Sequence, residues 1–264
     1  MIILLSPAKK MTFAGTASDD LLPKSRANFL QKTHELIDHM RSFSRRDLMQ
    51  LMSISEKLAD LNYQRFQAFE KTANDEQTRA AIFAFNGDTY QGLKADDFDK
   101  NDLQFAQQHL RILSGLYGLL RPMDAIQPYR LEMGSKVAIA DNANLYDFWQ
   151  GTIAESIQQD LQKMQENIVI NLASEEYFKA VHKPFLTANI ITPHFKEEKA
   201  GVLRTIGLLA KRARGAMARF AIQNRITKAE ELKNFTLGGY QFSNDLSDDK
   251  NWIFYRPHLA PNKG

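Results

Sequence analysis

The chain has 264 residues, 44% of them hydrophobic and 10% aromatic, so it contains enough apolar material for a large buried core, and disorder is not expected. It has no cysteine, which excludes a peroxidatic thiol, a cysteine-ligated iron–sulfur cluster and a thiolate zinc site. Lys and Arg number 34 against 31 Asp and Glu, and this net charge of +3 indicates a partner only where the charges cluster.

The first predicted element is a buried strand at residues 2–5, an apolar run that ends at Ser6-Pro7. It enters a tight loop with Lys9 and Lys10 at its mouth. Apolar spacing near 3.6 predicts a helix from Ser25 to Ser44. Further along the first half we predict a helix opened by a capping box of Ser53 with Glu56, strands at 81–85 and 110–114, and between them a helix of about ten residues from Asn101.

The second half alternates strands and helices, as in β-α-β units. The predicted elements are a helix at 145–164, a strand at 167–174, a short helix at 175–181, strands at 188–195 and 202–209, a helix at 210–225 and a hairpin at 240–255. The chain shows no repeat or linker. It is therefore predicted to form a single α/β (mixed α+β) domain over 1–264, with a mixed sheet flanked by helices. With no run of about 20 apolar residues and no secretory signal, we expect a cytoplasmic protein without a membrane contact.

A basic helix is the clearest physical signal. Projected at about 100° per residue, segment 208–225 has an apolar face, with Arg212 and Arg219 on one edge and Lys211, Arg214 and Arg225 on the other. No acidic residue lies between Leu203 and Ala229, so these charges lack partners one helical turn away, and a polyanion is the expected counter-charge. The alternative is an ordinary solvated face. Gly215 suits either a partner's close approach or tight internal packing.

Three other segments carry candidate functional residues. The loop after the first strand presents Lys9 and Lys10 to an anion, or is a simple proline turn. Arg130 and Glu132 share one face if extended. At the next strand–helix junction, Ser174 suits an N-cap or an anion site, and it is followed by Glu175 and Tyr177.

Local spacing gives no metal site and no cofactor. His34 and His39 are five residues apart and so face different sides of a helix. Asp245, Asp248 and Asp249 are possible ligands whose ordinary role is turn formation.

Long strings of the sequence resemble one family. They are SPAK (6–9), ISEKLADLN (54–62), AFNGDTYQGL (84–93), FAQQHLRILSGLYGLLRPMDAIQPYRLEMG (105–134), INLASEEYF (170–178) and AKRARGAMARF (210–220). On these strings the chain resembles the YaaA (UPF0246) family of peroxide stress resistance proteins. The resemblance implies a mixed α/β fold, a basic cleft, a helix-hairpin-helix-like element, DNA binding, and a role in lowering free intracellular iron. Residues 109–125 are the candidate hairpin, although two residues lie between Gly115 and Gly118, whereas a standard DNA-binding hairpin has one residue between its glycines.

Two functions therefore compete. In the first, a monomeric protein binds double-stranded or branched DNA, with phosphate contacts from Lys9, Lys10, Arg130, Lys211, Arg212, Arg214 and Arg219. In the second, an enzyme acts on a small phosphorylated or nucleotide-like ligand, with Lys9, Arg130, Glu132, Asn171, Glu175, Tyr177 and Arg214 in one cleft. Glu132, Glu175 and Tyr177 are its candidate catalytic groups. A regulator of iron metabolism acting through a partner is a third reading, without a docking motif. An open groove would favour DNA and a deep pocket would favour the small ligand.

Overall fold

A computed structural model describes residues 1–15, 21–22, 24–181 and 183–257. Its centre is an eight-stranded mixed sheet, and a separate two-stranded sheet lies beside it. The strands are β1 (Ile2–Leu5), β2 (Arg79–Ala80), β3 (Leu110–Ser114), β4 (Gly118–Leu120), β5 (Ala125–Ile126), β6 (Ile168–Asn171), β7 (Asn189–Lys199), β8 (Val202–Arg204), β9 (Gln241–Ser243) and β10 (Asn251–Pro257).

The main sheet has a parallel centre and antiparallel edges. Its order is β4-β3-β1-β6-β7-β10-β9, with β8 paired to β7. The pairs from β3 through β1, β6 and β7 to β10 are parallel, whereas β4, β8 and β9 pair antiparallel. The side chains of β1 are completely buried. This explains its uninterrupted apolar run, because a central parallel strand is covered on both faces.

Ten helices are described around these sheets. They are α1 (Leu30–Arg41), α2 (Arg45–Met52), α3 (Glu56–Ala68), α4 (Ala81–Ala84), α5 (Asp88–Leu93), α6 (Lys100–His109), α7 (Leu145–Phe148), α8 (Thr152–Leu161), α9 (Glu175–Phe178) and α10 (Gly207–Gln223). None in the described part of the chain is long and apolar enough to cross a bilayer.

Helices α5 and α10 cross with their backbones in contact. A Cβ atom on Gly215 would lie 1.7 Å from the Thr89 carbonyl oxygen, and one on Gly92 would lie 2.0 Å from that of Arg212. Both glycines are therefore required for the crossing, since no side chain fits between the two backbones. Of the two explanations for Gly215, internal packing is correct.

The predicted fold class is confirmed, as are β1, β3, α6, α9 and the C-terminal β9–β10 hairpin. Segment 81–85 is not a strand: β2 ends before it, and Ala81–Ala84 form a buried helical turn. A short apolar run fits a strand or a buried helix equally well, so periodicity could not separate them.

Three other boundaries differ from the prediction. The helix predicted at 145–164 is broken at Gly151, whose φ of 71° is left-handed and separates α7 from α8. The strand predicted at 202–209 ends at Arg204, and α10 begins at Gly207. The helix predicted over 25–44 begins only at Leu30.

The predicted helix-hairpin-helix-like element at 109–125 is wrong. This segment is the antiparallel hairpin of β3 and β4, and both of its glycines are buried. Gly118 adopts a φ of 70° against the Trp149 ring, and a Cβ on Gly115 would lie 2.3 Å from the Leu131 carbonyl oxygen. Neither glycine is available to a phosphate.

A helical hairpin does occur between α2 and α3. Ser53 ends α2 in a left-handed conformation, and Ser55, not Ser53, caps α3 by accepting a hydrogen bond from the Leu58 N–H. The predicted Ser53 capping box was therefore two residues out of register.

Candidate functional site

A cavity of about 560 Å³ opens at the carboxyl ends of β1 and β6. These strands are parallel neighbours, and this is the edge where ligands bind in open α/β sheets. We call this cavity the cleft. It is lined by Ser6, Pro7, Ala8, Lys9, Lys10, Asn86, Gly87, Asp88, Thr89, Gln91, Glu132, Leu172, Ser174, Glu176, Tyr177, Lys211 and Arg214.

The loop after β1 is fixed from several sides. The Ser6 hydroxyl oxygen accepts a hydrogen bond from the Ser174 N–H at 2.8 Å, and the Ser6 carbonyl accepts one from the Tyr90 hydroxyl at 3.1 Å. The Asn86 N–H donates to the Lys10 carbonyl at 2.9 Å. Ser174 was predicted to cap α9 with its side chain, but its hydroxyl makes no capping hydrogen bond. That hydroxyl instead lies 3.2 Å from the Ser6 hydroxyl. These hydrogen bonds hold the backbone of residues 6–10 in place, and Lys9 and Lys10 project from it.

Glu132 is held by two cations. One carboxylate oxygen lies 2.6 Å from the Lys9 ammonium, and the other accepts a hydrogen bond from Arg130 at 2.9 Å. Arg130 supports Glu132 and does not line the cleft. A carboxylate paired in this way is oriented rather than free to rotate.

Tyr177 is buried beside the carboxylates. Burial, followed by the neighbouring Tyr129 and by the negative charges of Glu176 and Glu132, raises the pKa of Tyr177 well above its usual range. The phenol is therefore neutral near pH 7 and acts as a hydrogen-bonding group rather than as a base.

Arg214 and Lys211 bring positive charge to the cleft from α10. Within the described ranges, neither side chain has a hydrogen-bond or ion-pair partner. Arg214 is half-buried, and burial alone lowers the pKa of its guanidinium. No carboxylate of the described residues pairs with this guanidinium, so the Arg214 end of the cleft carries an uncompensated positive charge.

The arginines on the other edge of α10 are already neutralised. Arg212 lies 3.4 Å from Asp88, and Arg219 lies 3.1 Å from Asp97 and also donates to the Lys94 carbonyl at 2.8 Å. Arg225, which was predicted on the edge of Lys211 and Arg214, follows the end of α10 and is also paired, at 2.5 Å from the Asp102 carboxylate. The prediction that the basic helix lacks counter-charges is therefore wrong for these three residues, because residues 88–102 supply the acids.

Only some of the predicted site residues line the cleft. Six of them line the cleft together, namely Lys9, Lys10, Glu132, Tyr177, Lys211 and Arg214. Arg212 and Arg219 line a separate depression beside Tyr240. Asn171 is buried and its amide oxygen accepts the Ala173 N–H, so it turns the chain at the end of β6. Glu175 is exposed and points outside the cleft lining.

Sequence reasoning missed several lining residues. Glu176, not Glu175, lines the cleft, and its carboxylate accepts the Gly134 N–H at 3.0 Å. A one-residue choice within a four-residue helix cannot be made from periodicity. The cleft lining also includes Asn86, Thr89 and Gln91. All three lie in the string AFNGDTYQGL, which supported the family resemblance but had not been proposed as part of a site.

No cluster of three or more His, Cys, Asp or Glu side chains with metal-binding geometry occurs among the described residues. Asp248, one of the possible ligands, accepts hydrogen bonds from the N–H groups of Lys250 and Asn251 and thereby fixes the β9–β10 turn.

Comparison with known proteins gives a consistent family. Residues 1–246 match the family model described as "Peroxide stress protein YaaA". A protein of Caulobacter sp. (strain K31) named "UPF0246 protein" is 49% identical over 97% of this chain and 99% of its own length. Another of the same name, from Caulobacter vibrioides (strain NA1000 / CB15N), is 48% identical over 97% and 99%. The chain therefore belongs to the YaaA (UPF0246) family of peroxide stress proteins.

Proposed function

We propose that this peroxide stress protein acts by binding a phosphate-bearing ligand in the cleft, with Arg214 as the main anchor. The observation that carries the proposal is the half-buried Arg214 guanidinium, which has no partner among the described residues and faces a cavity. A desolvated cation without a counter-ion is costly, and a bound anion removes that cost. A guanidinium also matches the two oxygens of a phosphate.

The size of the cleft supports a small ligand or a single nucleotide unit. Its volume of about 560 Å³ lies within the usual range of small-molecule pockets, roughly 300–1,000 Å³. A nucleotide-sized molecule fits such a space, whereas a DNA duplex does not.

DNA binding is the second candidate, and the exposed lysines at the cleft support it. Lys10 and Lys211 are exposed and have no partner within the described ranges. In this proposal one phosphate or an unpaired nucleotide enters the cleft, and the two lysines contact neighbouring phosphates. Arg212 and Arg219, which the sequence also suggested as phosphate contacts, are left out of this proposal because they are paired with Asp88 and Asp97.

Acid–base turnover has weaker support than binding. Both Glu132 oxygens are held by cations, and the Tyr177 phenol is neutral. In this proposal any lowering of free iron follows from ligand binding rather than from storage of the metal.

Isothermal titration calorimetry with ethyl phosphate, a minimal phosphate monoester, tests the proposal. The Arg214→Ala variant should bind at least about tenfold more weakly, because charge-assisted hydrogen bonds are worth about 1.5–3 kcal/mol. Arg219→Ala is the matched control: it removes the same charge from the same helix, and neither Arg219 nor its partner Asp97 lines the cleft. Equal weakening of both variants, or no binding to the unaltered protein, contradicts the proposal.

Labelled duplex and branched DNA, titrated across a salt series, test the second candidate. If DNA enters the cleft, Arg214→Ala should weaken its binding and reduce the salt slope by about 0.9 per lost phosphate contact. Arg219→Ala, which removes a charge outside the cleft, should change neither. DNA binding that both variants retain would place the DNA elsewhere on the protein.

A further inference from the structure

The cleft contains more chemistry than a phosphate group uses. Beside the Arg214 end it presents the carboxylates of Glu132 and Glu176 and the neutral phenol of Tyr177, while its third carboxylate, Asp88, is paired with Arg212. Carboxylates repel a phosphate, so they must face an uncharged, hydrogen-bond-donating part of the ligand. We infer that the ligand is a phosphorylated sugar, free or as a ribonucleotide, whose hydroxyls donate to Glu176 and Glu132. This inference rests on the proposed function.

Glu176 is oriented and has an available oxygen. One oxygen, Oε1, accepts the Gly134 N–H at 3.0 Å. The other, Oε2, has no hydrogen-bond partner within the described ranges. A Cβ on Gly134 would lie 3.1 Å from Oε1, so the glycine allows this close approach. An exposed glutamate anchored at one oxygen presents the second as a fixed acceptor.

Glu132 adds a second acceptor. Arg130 donates two hydrogen bonds to Oε1, at 3.3 and 2.9 Å, and Lys9 contacts Oε2 at 2.6 Å. A carboxylate has about four acceptor positions, so one remains on Oε2. The two cations also reduce the repulsion between this carboxylate and a nearby phosphate. Glu132 therefore accepts a hydroxyl while the phosphate lies against Arg214.

The separation of charge within the cleft selects among ligands. Inorganic anions gain nothing from Glu176, and ligands with several carboxylates are repelled by it. Sugar hydroxyls are uncharged donors, and a carboxylate that accepts ribose hydroxyls is a common arrangement in nucleotide-binding α/β folds. Duplex DNA has no free sugar hydroxyl along its strands.

Calorimetric titration of the full chain with ethyl phosphate, ribose 5-phosphate and adenosine 5′-monophosphate tests the inference. Ribose 5-phosphate should bind at least about tenfold more tightly than ethyl phosphate, because a single hydrogen bond to a charged acceptor contributes about this factor. Glu176→Gln should remove the part of that gain that comes from Glu176, and ethyl phosphate affinity should stay the same or rise slightly, because a negative charge is removed from the cleft. Glu175→Gln, the neighbouring residue outside the cleft, should remove none of it.

The outcomes separate the inference from the proposed function. Equal affinity for ethyl phosphate and ribose 5-phosphate overturns the sugar inference, while a loss of both on Arg214→Ala keeps the phosphate site. An unchanged ribose gain in Glu176→Gln also overturns it. No binding of any phosphate monoester refutes both. Tighter binding of the adenosine nucleotide than of ribose 5-phosphate identifies the ligand as a nucleotide, whereas equal binding identifies it as a sugar phosphate.

Discussion

The two edges of α10 carry the same kind of residue and differ in what surrounds them. Arg212 and Arg219 face the segment of α5 and α6, where Asp88 and Asp97 neutralise them. Lys211 and Arg214 face the cleft, where no described acidic group pairs with them. The first edge therefore stabilises the fold and the second is available to a ligand. Which cations of α10 are paired therefore depends on the segments packed against the helix and not on the sequence of the helix itself.

The largest effect should come from disturbing the contact that brings these acids to α10. Gly215→Ala places a Cβ 1.7 Å from the Thr89 carbonyl oxygen and 2.8 Å from the Leu93 nitrogen. Both are backbone atoms that cannot rotate away, so we expect a loss of about 3 kcal/mol or more in the free energy of unfolding. Urea denaturation measures it.

Gly207→Ala is the matched control for this substitution. It lies in the same helix, and a Cβ there meets no atom within 4 Å. We expect its stability to stay the same or rise by up to about 1 kcal/mol, since alanine favours a helix. A similar loss in both variants would show that the crossing of α5 and α10 is not the cause.

Arg219→Ala should give the next largest effect. The Arg219 side chain is 18% exposed and donates to the Lys94 carbonyl besides pairing with Asp97. Its removal leaves these acceptors without their donor, and we expect a loss of about 1–2 kcal/mol in unfolding free energy with unchanged ligand affinity. Weaker ligand binding at unchanged stability would reverse the roles of the two edges.

Arg212→Ala should change stability by no more than about 0.5 kcal/mol. Its pair with Asp88 is long, at 3.4 Å, and the side chain is half-exposed, so solvent screens the attraction. Urea denaturation of this variant beside Arg219→Ala measures the difference within the paired edge. Equal losses would show that the exposed pair matters as much as the half-buried one.

The smallest expected effect concerns pH. Burial raises the pKa of Tyr177, so its proton stays bound from pH 7.5 to 9, where a phosphate monoester is already fully ionised. Ethyl phosphate affinity should therefore change by less than about twofold over this range. A marked fall would show that a group of the cleft titrates there.

The same shift has a defined sign for stability. The folded protein holds the Tyr177 proton more tightly than the unfolded chain does. Its contribution is therefore present below about pH 10 and is lost as the pH rises further. Tyr177→Phe should reduce the alkaline loss of unfolding free energy.

The sequence was most informative where the physics is local. The buried strand β1, the α6 helix and the β9–β10 hairpin follow from apolar period and turn residues. Segment 81–85 was misassigned because its helical turn is chosen by packing and not by its own pattern. The residues on both sides of Gly151 favour a helix, so one continuous helix was predicted at 145–164. It is interrupted at Gly151, whose backbone is left-handed.

The site could be predicted only in part for the same reason. The structure brings Lys9, Glu132, Tyr177 and Arg214 together at the cleft, whereas the lining does not include Arg130, Asn171 and Glu175, which were predicted to converge with them. Charge pairing across more than 100 residues was not visible, so the partners of Arg212 and Arg219 were missed.

The most direct test of the central claim is ligand-induced stabilisation, measured by thermal unfolding with and without ribose 5-phosphate. A ligand at about 100 times its dissociation constant stabilises the folded state by about 2.7 kcal/mol. We predict that the unaltered protein and Arg219→Ala are both stabilised by this amount, the variant from a lower starting temperature. Arg214→Ala should start at or above the unaltered protein and gain at most about half as much, since its binding is at least about tenfold weaker. Full stabilisation of Arg214→Ala, together with its loss in Arg219→Ala, would contradict the division of α10 into a packed edge and a binding edge.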